Sequence, residues 1–372
     1  MHYLSQLTKS SINGLTCLVR VDFNIENLQE NFRLRSTLPT INFLRERGTR
    51  VILVSHRGRP GAGAEIGDPR FSLKIVLPFL NQKLKETPVF LPDFNFKKIQ
   101  ATLEKNSSRN IFLLENLRFL PAEEKNDPRL ATLLQPLADF FVNDAFSVSH
   151  RENASVTALP HVLPSYAGLL LEKEIENLSR VLKNYRKPLI VILGGAKVSD
   201  KLGLINNFKN RASYFLVGGA VANTFLKAQG KDIGDSVYEP RMLSVVKKML
   251  RSKKIILPFD FVAAKNRFMD IGPLTAEAFI SKIKGAKTIV WNGPMGFFEN
   301  PAWANGSKTI LKAVTATKAF SVVGGGETTE LVTQMNAGNK LGFVSTGGGA
   351  MIAFLGGEPM PGIQALEKTK HL

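Results

Sequence analysis

Residues 189–201 read LIVILGGAKVSDK: five apolar residues in a row, then two glycines, then a polar stretch with two lysines four apart. A run this short and this continuously apolar reads as a strand buried on both faces. A half-buried strand would alternate, and an amphipathic helix would repeat every 3.6 residues. The phrase recurs. In the first half it is TCLVRVDFN (16–24), RVILVSHRGRP (50–60), VFLPD (89–93), NIFLLENLRF (110–119) and DFFVNDAFS (139–147). In the second half it is SYFLVGGAVA (213–222), KIILPFDFVAA (254–264), TIVWNGPMG (288–296), AFSVVGGGET (319–328) and GFVSTGGGA (342–350). Each run is followed by a helical stretch, so the two sets predict an α/β protein of two doubly wound, Rossmann-like parallel-sheet domains. Between them, AGLLLEKEIENLSRVLKNYRKP (167–188) carries Leu171, Ile175, Leu178 and Leu182 on one helical stripe. It reads as a connecting helix and hinge, with a first domain over 1–166 and a second beginning at 167.

A chain of 372 residues suits two such domains, and 44% apolar with 22% charged residues is a globular composition. MHYLSQLTKS lacks the pattern of a signal peptide, no apolar run reaches the roughly 20 residues of a membrane span, and Cys17 is the single cysteine. The expectation is a cytoplasmic monomer without a membrane partner. The net charge of +18 raises a nucleic-acid reading, but residues 167–372 carry 28 Lys and Arg against 15 Asp and Glu, and residues 1–166 carry 21 against 16. Most of the excess is scattered lysine, and no zinc-finger or RNA-recognition signature accompanies it. We therefore expect no nucleic-acid partner; the charge suits small polyanionic substrates.

Open parallel sheets bind ligands beyond the carboxyl ends of their strands, so the residues after each run matter most. In the first half these are basic: Arg20 with Asp22 and Asn24, His56 and Arg59, Arg118, and His150 with Arg151. Arg33 and Arg35 lie just ahead of a helix expected near Leu38. Any one arginine could be solvent-exposed or paired with an acid; several at successive strand ends suit phosphate and carboxylate oxygens. In the second half they are glycines: 194–195, 218–219, 324–326 and 347–349. These could be tight turns and nothing more, or helix starts offering N–H groups to phosphates. Lys197 and Lys201 would share the face of a helix starting after Gly195. The loop GAGAEIG (61–67) misses GxGxxG spacing, and GxxxxGK[ST] is absent. An anion-binding arginine cluster in one half and a nucleotide-type glycine site in the other suggest phosphate transfer between a small acid and a nucleotide.

RVDFN (20–24), SHRGRP (55–60), LLENLRF (113–119), VNDAF (142–146), LGGAKVSDK (193–201), WNGPMGFFE (291–299), VGGGET (323–328) and VSTGGGA (344–350) together resemble phosphoglycerate kinase, from about residue 15 onward. The resemblance implies an acid-substrate domain (1–166 with a returning tail, 356–372) and a Mg-nucleotide domain (167–355). It implies reversible transfer from 1,3-bisphosphoglycerate to MgADP, giving 3-phosphoglycerate and MgATP. Asp22 and Asn24 would contact the hydroxyl and carboxylate of the acid, and His56, Arg59, Arg118 and Arg151 its far phosphate. Arg33 and Lys197, with N–H groups near Gly326 and Gly349, would steady the moving phosphoryl group. Lys201 would hold nucleotide phosphates; Asn292, Pro294 and Glu299 would border the nucleotide, with Gly195, Gly219 and Gly325 close to it. Glu327 and Thr328 match metal and phosphate contacts, Glu327 binding Mg²⁺ where Asp is usual. Other departures are Arg57 for Leu, Asn153 for a histidine, Ala220 for Gly, and Ala353 and Gly356 for acids. The competing readings are a weakened family member that binds nucleotide or regulates, and a nicotinamide-dependent dehydrogenase, which would need a GxGxxG after the first strand.

Overall fold

The apolar runs fold as strands because alternate residues of each enter different cores. In β1 (Thr16–Arg20), Cys17 and Val19 pack into one cluster and Leu18 into the other; Val51 and Leu53 part from Ile52 and Val54 in β2 (Arg50–Val54) in the same way. A sheet with helices on one face only would leave half of these side chains in water. In the computed structural model, which describes residues 1–29, 31–61, 63–369 and 372, the chain forms two units: Met1–Ile175 with Met360–Leu372, and Glu176–Pro359.

The first unit adds β3 (Val89–Leu91), β4 (Ile111–Leu114), β5 (Phe140–Asn143) and β6 (Ser165–Ala167). Its six-stranded sheet has the order β3-β4-β2-β1-β5-β6, parallel throughout. Strand order reverses about β1, so the crevice beyond β1 and β5 is where a ligand is expected. The sequence gives no sign of β6, whose three residues Ser-Tyr-Ala are too short and too polar to stand out.

The second unit holds β7 (Leu189–Leu193), β8 (Tyr214–Val217), β9 (Ile255–Ile256), β10 (Phe261–Ala264), β11 (Arg267–Ile271), β12 (Thr288–Asn292), β13 (Phe320–Gly324) and β14 (Phe343–Val344). Six of these form a parallel sheet in the order β14-β13-β12-β7-β8-β9, and β10 and β11 form a separate antiparallel hairpin. The single run KIILPFDFVAA is thus two strands divided at Pro258. The hairpin turn is Lys265–Asn266, both residues at positive φ, as a type I′ turn needs.

The helix Leu169–Lys183 buries Leu171 and Leu178 and half-buries Ile175 and Leu182. The chain passes from one unit to the other within it. Asp144, at the end of β5, accepts the N–H groups of Leu170 and Leu171, and Thr40 accepts that of Leu169. The tail forms a helix, Pro361–Glu367, where Gly362 N donates to Ser149 O at 2.9 Å; Lys370 and His371 lie outside the described residues. So do Ala62, in the glycine loop, and Glu30, ahead of Arg33.

Candidate functional site

In the first unit the functional side chains crowd the carboxyl ends of β1, β2 and β5. Asp22 Oδ1 accepts Asn24 N at 2.9 Å, Oδ2 accepts the Ser147 hydroxyl, and Arg33 Nη1 stands 3.4 Å away. Burial works to raise this carboxyl. Arg33 and the two hydrogen bonds outweigh it and bring it to about 2. Arg33 also donates to Asn24 O at 2.9 Å, and Asn24 Oδ1 accepts Gly58 N at 2.8 Å, so one chain of bonds joins the loops after β1 and β2. The helix carrying Arg33 begins at Phe32, not near Leu38, and Pro39 sits within it rather than at its start. That puts Arg33 and Arg35 in its first turn, where Arg33 turns inward and Arg35 is exposed.

His56 is buried, and burial, with the positive charges of Arg20, Arg118 and Arg33, pushes it well below the ordinary histidine range. Its Nδ1 faces Arg20 Nη2 at 3.2 Å. A guanidinium can only donate, so Nδ1 accepts and the proton sits on Nε2. Arg20 is a structural residue: it is fully buried, donates to Ser155 Oγ and Val21 O, and lies 3.7 Å from Glu123 Oε1. Arg57, in place of the usual leucine, is structural too, its guanidinium donating to the carbonyls of Ile25, Glu26, Pro69 and Arg70.

Arg118, Arg151 and Arg59 form the positive cluster. Arg118 is 7% exposed, donates to Gly58 O at 2.8 Å and lies 3.3 Å from Glu124. Burial, then repulsion from Arg20, Arg151 and Arg59, lowers it to about 10, with Glu124 a partial offset. Arg151 Nε donates to His150 Nε2 at 3.3 Å, and burial together with Arg151 brings His150 down to about 4. Arg59 is exposed. Like charges held together at this cost suit the oxygens of an anion. Sequence reading missed Ser147, since a lone serine carries no signal. Asn153, in the usual histidine's place, is buried with Nδ2 on Glu123 O at 3.3 Å and its Oδ1 unpartnered.

In the second unit the glycine turns divide by role. Gly194, Gly195 and Gly219 donate their amides to Asn292 O, Pro294 O and Met295 O at 2.7–2.9 Å. Those three N–H groups are used within the fold, so Gly194, Gly195 and Gly219 do not themselves offer amides to phosphate, although Gly195 and Gly219 border the cavity described below. Gly194 and Gly219 are glycines because backbones touch, a Cβ on Gly219 coming within 2.9 Å of Gly195 N and O, whereas Gly195 is held at φ +81°. Gly325 and Gly347 differ. They open the helices Gly326–Gln334 and Gly348–Gly356 without any side-chain cap. First-turn amides there, including those of Gly326 and Gly349, have no partner within the helix. The two turns lie together, a Cβ on Gly348 falling 2.9 Å from Gly325 Cα.

A cavity of about 370 Å³ is bordered by Gly195, Gly219, Ala220, Pro294, Glu299 and Glu327. Its far wall is the β10–β11 hairpin, with the rings of Phe261 and Phe268 stacked at 3.9 Å, together with Asn223 and Val237. None of Phe261, Phe268, Asn223 or Val237 was singled out from sequence; the polar Lys265–Asn266 pair between apolar runs was the available signal for the hairpin. Burial and Glu299 raise the Glu327 carboxyl, against Lys201. Lys201 is buried and lowered by that burial, against Asp200 and Glu327; Lys197 is exposed. The two lysines do not share an α-helical face, because a 3₁₀ turn, Ser199–Lys201, comes before the helix Leu202–Phe208. Asn292 and Thr328 lie behind the cavity wall, Asn292 Nδ2 donating to Gly324 O and Thr328 Oγ1 accepting Gly293 N, both at 2.9 Å. Gly356 allows close packing: a Cβ there would come 3.2 Å from the Gly203 backbone. Among the described residues no group of three or more His, Cys, Asp or Glu is placed to hold a metal, and no helix is long and apolar enough to cross a membrane.

Two parallel α/β units, one with an arginine cluster and one with a glycine-rimmed cavity beside the Glu327 carboxylate and buried Lys201, define a two-domain kinase that acts on small molecules and uses a nucleotide. The family model for phosphoglycerate kinase matches residues 7–358. Proteins named phosphoglycerate kinase from Moorella thermoacetica and Desulforapulum autotrophicum are 39% and 41% identical, each over 95% of this chain and 97% and 98% of their own. The phosphoglycerate kinase structure from Pyrococcus horikoshii superposes with a TM-score of 0.87 at 30% identity, over 99% of this chain and 98% of that one. That from Coxiella burnetii gives 0.81 at 32%, over 98% of both. The chain belongs to the phosphoglycerate kinase family.

Proposed function

We propose that the chain catalyses reversible phosphoryl transfer from 1,3-bisphosphoglycerate to MgADP, with the acid on the first unit and the nucleotide on the second. The observation that carries this reading is the Arg59–Arg118–Arg151 cluster, whose mutual repulsion a bound phosphate would relieve. Asp22 and Asn24 would take the hydroxyl and carboxylate of 3-phosphoglycerate, and His56, a neutral Nε2–H donor, would join the three arginines on its phosphate. In the ATP-consuming direction a carboxylate oxygen forms a bond to the γ-phosphorus as the bond to the β-γ bridging oxygen breaks, releasing ADP. That nucleophile is already ionised near pH 7, so no general base is needed. Alignment, neutralisation and exclusion of water remain for the protein, and domain closure would provide the last of these. Arg33, Lys197 and the first-turn amides at Gly326 and Gly349 would bear on the moving group, and Lys201 on the nucleotide phosphates.

Mg²⁺ would arrive with the nucleotide and be held mainly by phosphate oxygens, neutralising their charge. Glu327 fits as the protein carboxylate: it borders the cavity, and its neighbour Glu299 makes a nearby cation favourable. Asn292 and Thr328 would act by fixing the wall beside the phosphates. A monomer in the cytoplasm fits small-molecule substrates and a single buried cysteine. The test is a coupled assay with 3-phosphoglycerate and MgATP. Turnover is expected, and Arg33→Ala should cut kcat far more than it weakens either substrate. ADP binding without turnover would favour the weakened, regulatory relative instead.

A further inference from the structure

The segment that carries Lys197 and Lys201 has no cap of its own. Val198, ahead of the Ser199–Lys201 turn, supplies no side-chain bond. The cap comes from forty residues away. Glu239 Oε2 accepts Ser199 N at 2.9 Å and Oε1 accepts Ser199 Oγ at 2.7 Å; the Val198 amide donates to the same carboxylate. Burial would raise Glu239, but these bonds, with Lys197 nearby, hold it below the ordinary carboxylate range. On its other side Glu239 N donates to Thr224 Oγ1 at 3.1 Å, and the Thr224 hydroxyl donates to Ala220 O at 3.3 Å. Asn223 Nδ2 donates to Val237 O at 3.1 Å. Ala220, Asn223 and Val237 all line the nucleotide cavity.

We propose that Glu239 is a positioning residue for the transfer step, fixing the Lys197–Lys201 segment and tying it to the cavity wall that a nucleotide touches. This rests on the nucleotide reading of the second unit. Lysine has a flexible four-carbon arm, so where its ammonium lies depends on where its backbone is held, and a displacement of about 1 Å can cost on the order of a hundredfold in rate. A purely electrostatic role predicts the opposite sign for binding: removing an anion beside Lys197 would tighten binding of nucleotide phosphates.

The experiment uses the full chain with Glu239→Ala and the milder Glu239→Gln, which keeps one acceptor oxygen. With 3-phosphoglycerate and MgATP, Glu239→Ala should lower kcat at least about tenfold while the ADP Kd, by calorimetry, stays within about threefold, and Glu239→Gln should fall between. In a Lys197→Ala background the same change should cost clearly less than in the native chain, because part of its effect acts through the Lys197 ammonium. Hydrogen exchange gives a readout independent of turnover. ADP should slow exchange of residues 197–201 in the native chain, and that protection should be lost in Glu239→Ala. An unchanged kcat, full additivity with Lys197→Ala, or no ADP effect on 197–201 exchange in the native chain overturns the proposal. Absence of turnover in the native chain with the exchange effect intact overturns the reaction assignment alone.

Discussion

Replacing Arg118 by methionine separates what the arginine cluster does for the fold from what it does for a ligand. A depression from the ordinary arginine range to about 10 makes the charged form unfavourable by ~3 kcal/mol, at about 1.36 kcal/mol per pH unit. The sign follows from a base whose folded value lies below its unfolded one. The penalty is fully present below about pH 10 and is relieved only as the pH climbs from there into the ordinary arginine range, so it is constant across neutral pH. Methionine keeps the length and abolishes this penalty. Against that, the bond to Gly58 O is lost, worth about 1.5–3 kcal/mol for a charged donor, and so is the pair with half-exposed Glu124, worth about 0–1 kcal/mol. The balance is within about 1.5 kcal/mol of zero, whereas removing one partner of a compensated buried pair typically costs about 3–5 kcal/mol. The assay is thermal unfolding with and without 3-phosphoglycerate. Without ligand, Tm should shift by less than about 6 °C, as about 1.5 kcal/mol implies for a unit of this size. At about a hundred times Kd the ligand should stabilise the native chain by ~2.7 kcal/mol, and most of that gain should vanish in Arg118→Met. A fall of about 10 °C without ligand, or an undiminished response to ligand, would refute the reasoning.

Three further outcomes are expected. Arg57→Leu, which restores the usual residue, should cost about 2–4 kcal/mol of first-unit stability by urea denaturation, since four carbonyls lose their donor at ~1 kcal/mol net each; no loss would mean that the loops re-close without it. Burial pushes Asp144 up to about 7, despite Thr40, the Leu170 and Leu171 amides and Lys173. Its folded value exceeds its unfolded one, so its penalty is absent below about pH 4 and complete above about pH 7. Relative to Asp144→Asn, the native chain should therefore lose a few kcal/mol of stability between pH 4 and 7 and then run parallel; profiles parallel throughout would sink this. His56 titrates in both chains and cancels. Gly356→Glu should destabilise the second unit by about 1–3 kcal/mol, because its Cβ presses on the Gly203 backbone; an unchanged denaturation midpoint would show that the contact can open.

The strands were legible wherever both faces are buried, because a continuous apolar run has few other readings. They were illegible where burial is partial: β6 is three residues long, and β10–β11 is half exposed, so its alternation is weak and β10 reads as one run with β9 despite Pro258 between them. Residue types at strand ends marked where polar side chains gather but not which partners they find. Arg20 and Arg118 look alike in sequence. One is neutralised by Glu123 and Ser155, brought from beyond residue 120, and the other is left among like charges. The same holds for the glycines. Gly219 and Gly326 both follow a strand, yet only backbone packing across β7, β8 and β12 decides that the amide of Gly219 is already used.

On the function proposed above, the two units would approach phosphate by opposite physical routes, and the net charge describes neither. In the first, side-chain cations are assembled against their own repulsion, which a bound anion would relieve. In the second, the helix starts at Gly326 and Gly348 present uncharged amides, and what they require is backbone geometry: positive φ at Gly325 and a contact at Gly348 that no side chain would permit. The excess of lysine in residues 167–372 is therefore not what makes the second unit's site. Salt should separate the two contributions, because exposed Arg59 and the scattered lysines are screened within a Debye length of ~8 Å at physiological ionic strength. Arg118, 7% exposed, is screened far less, so affinity for the acid's phosphate should weaken with salt only in part.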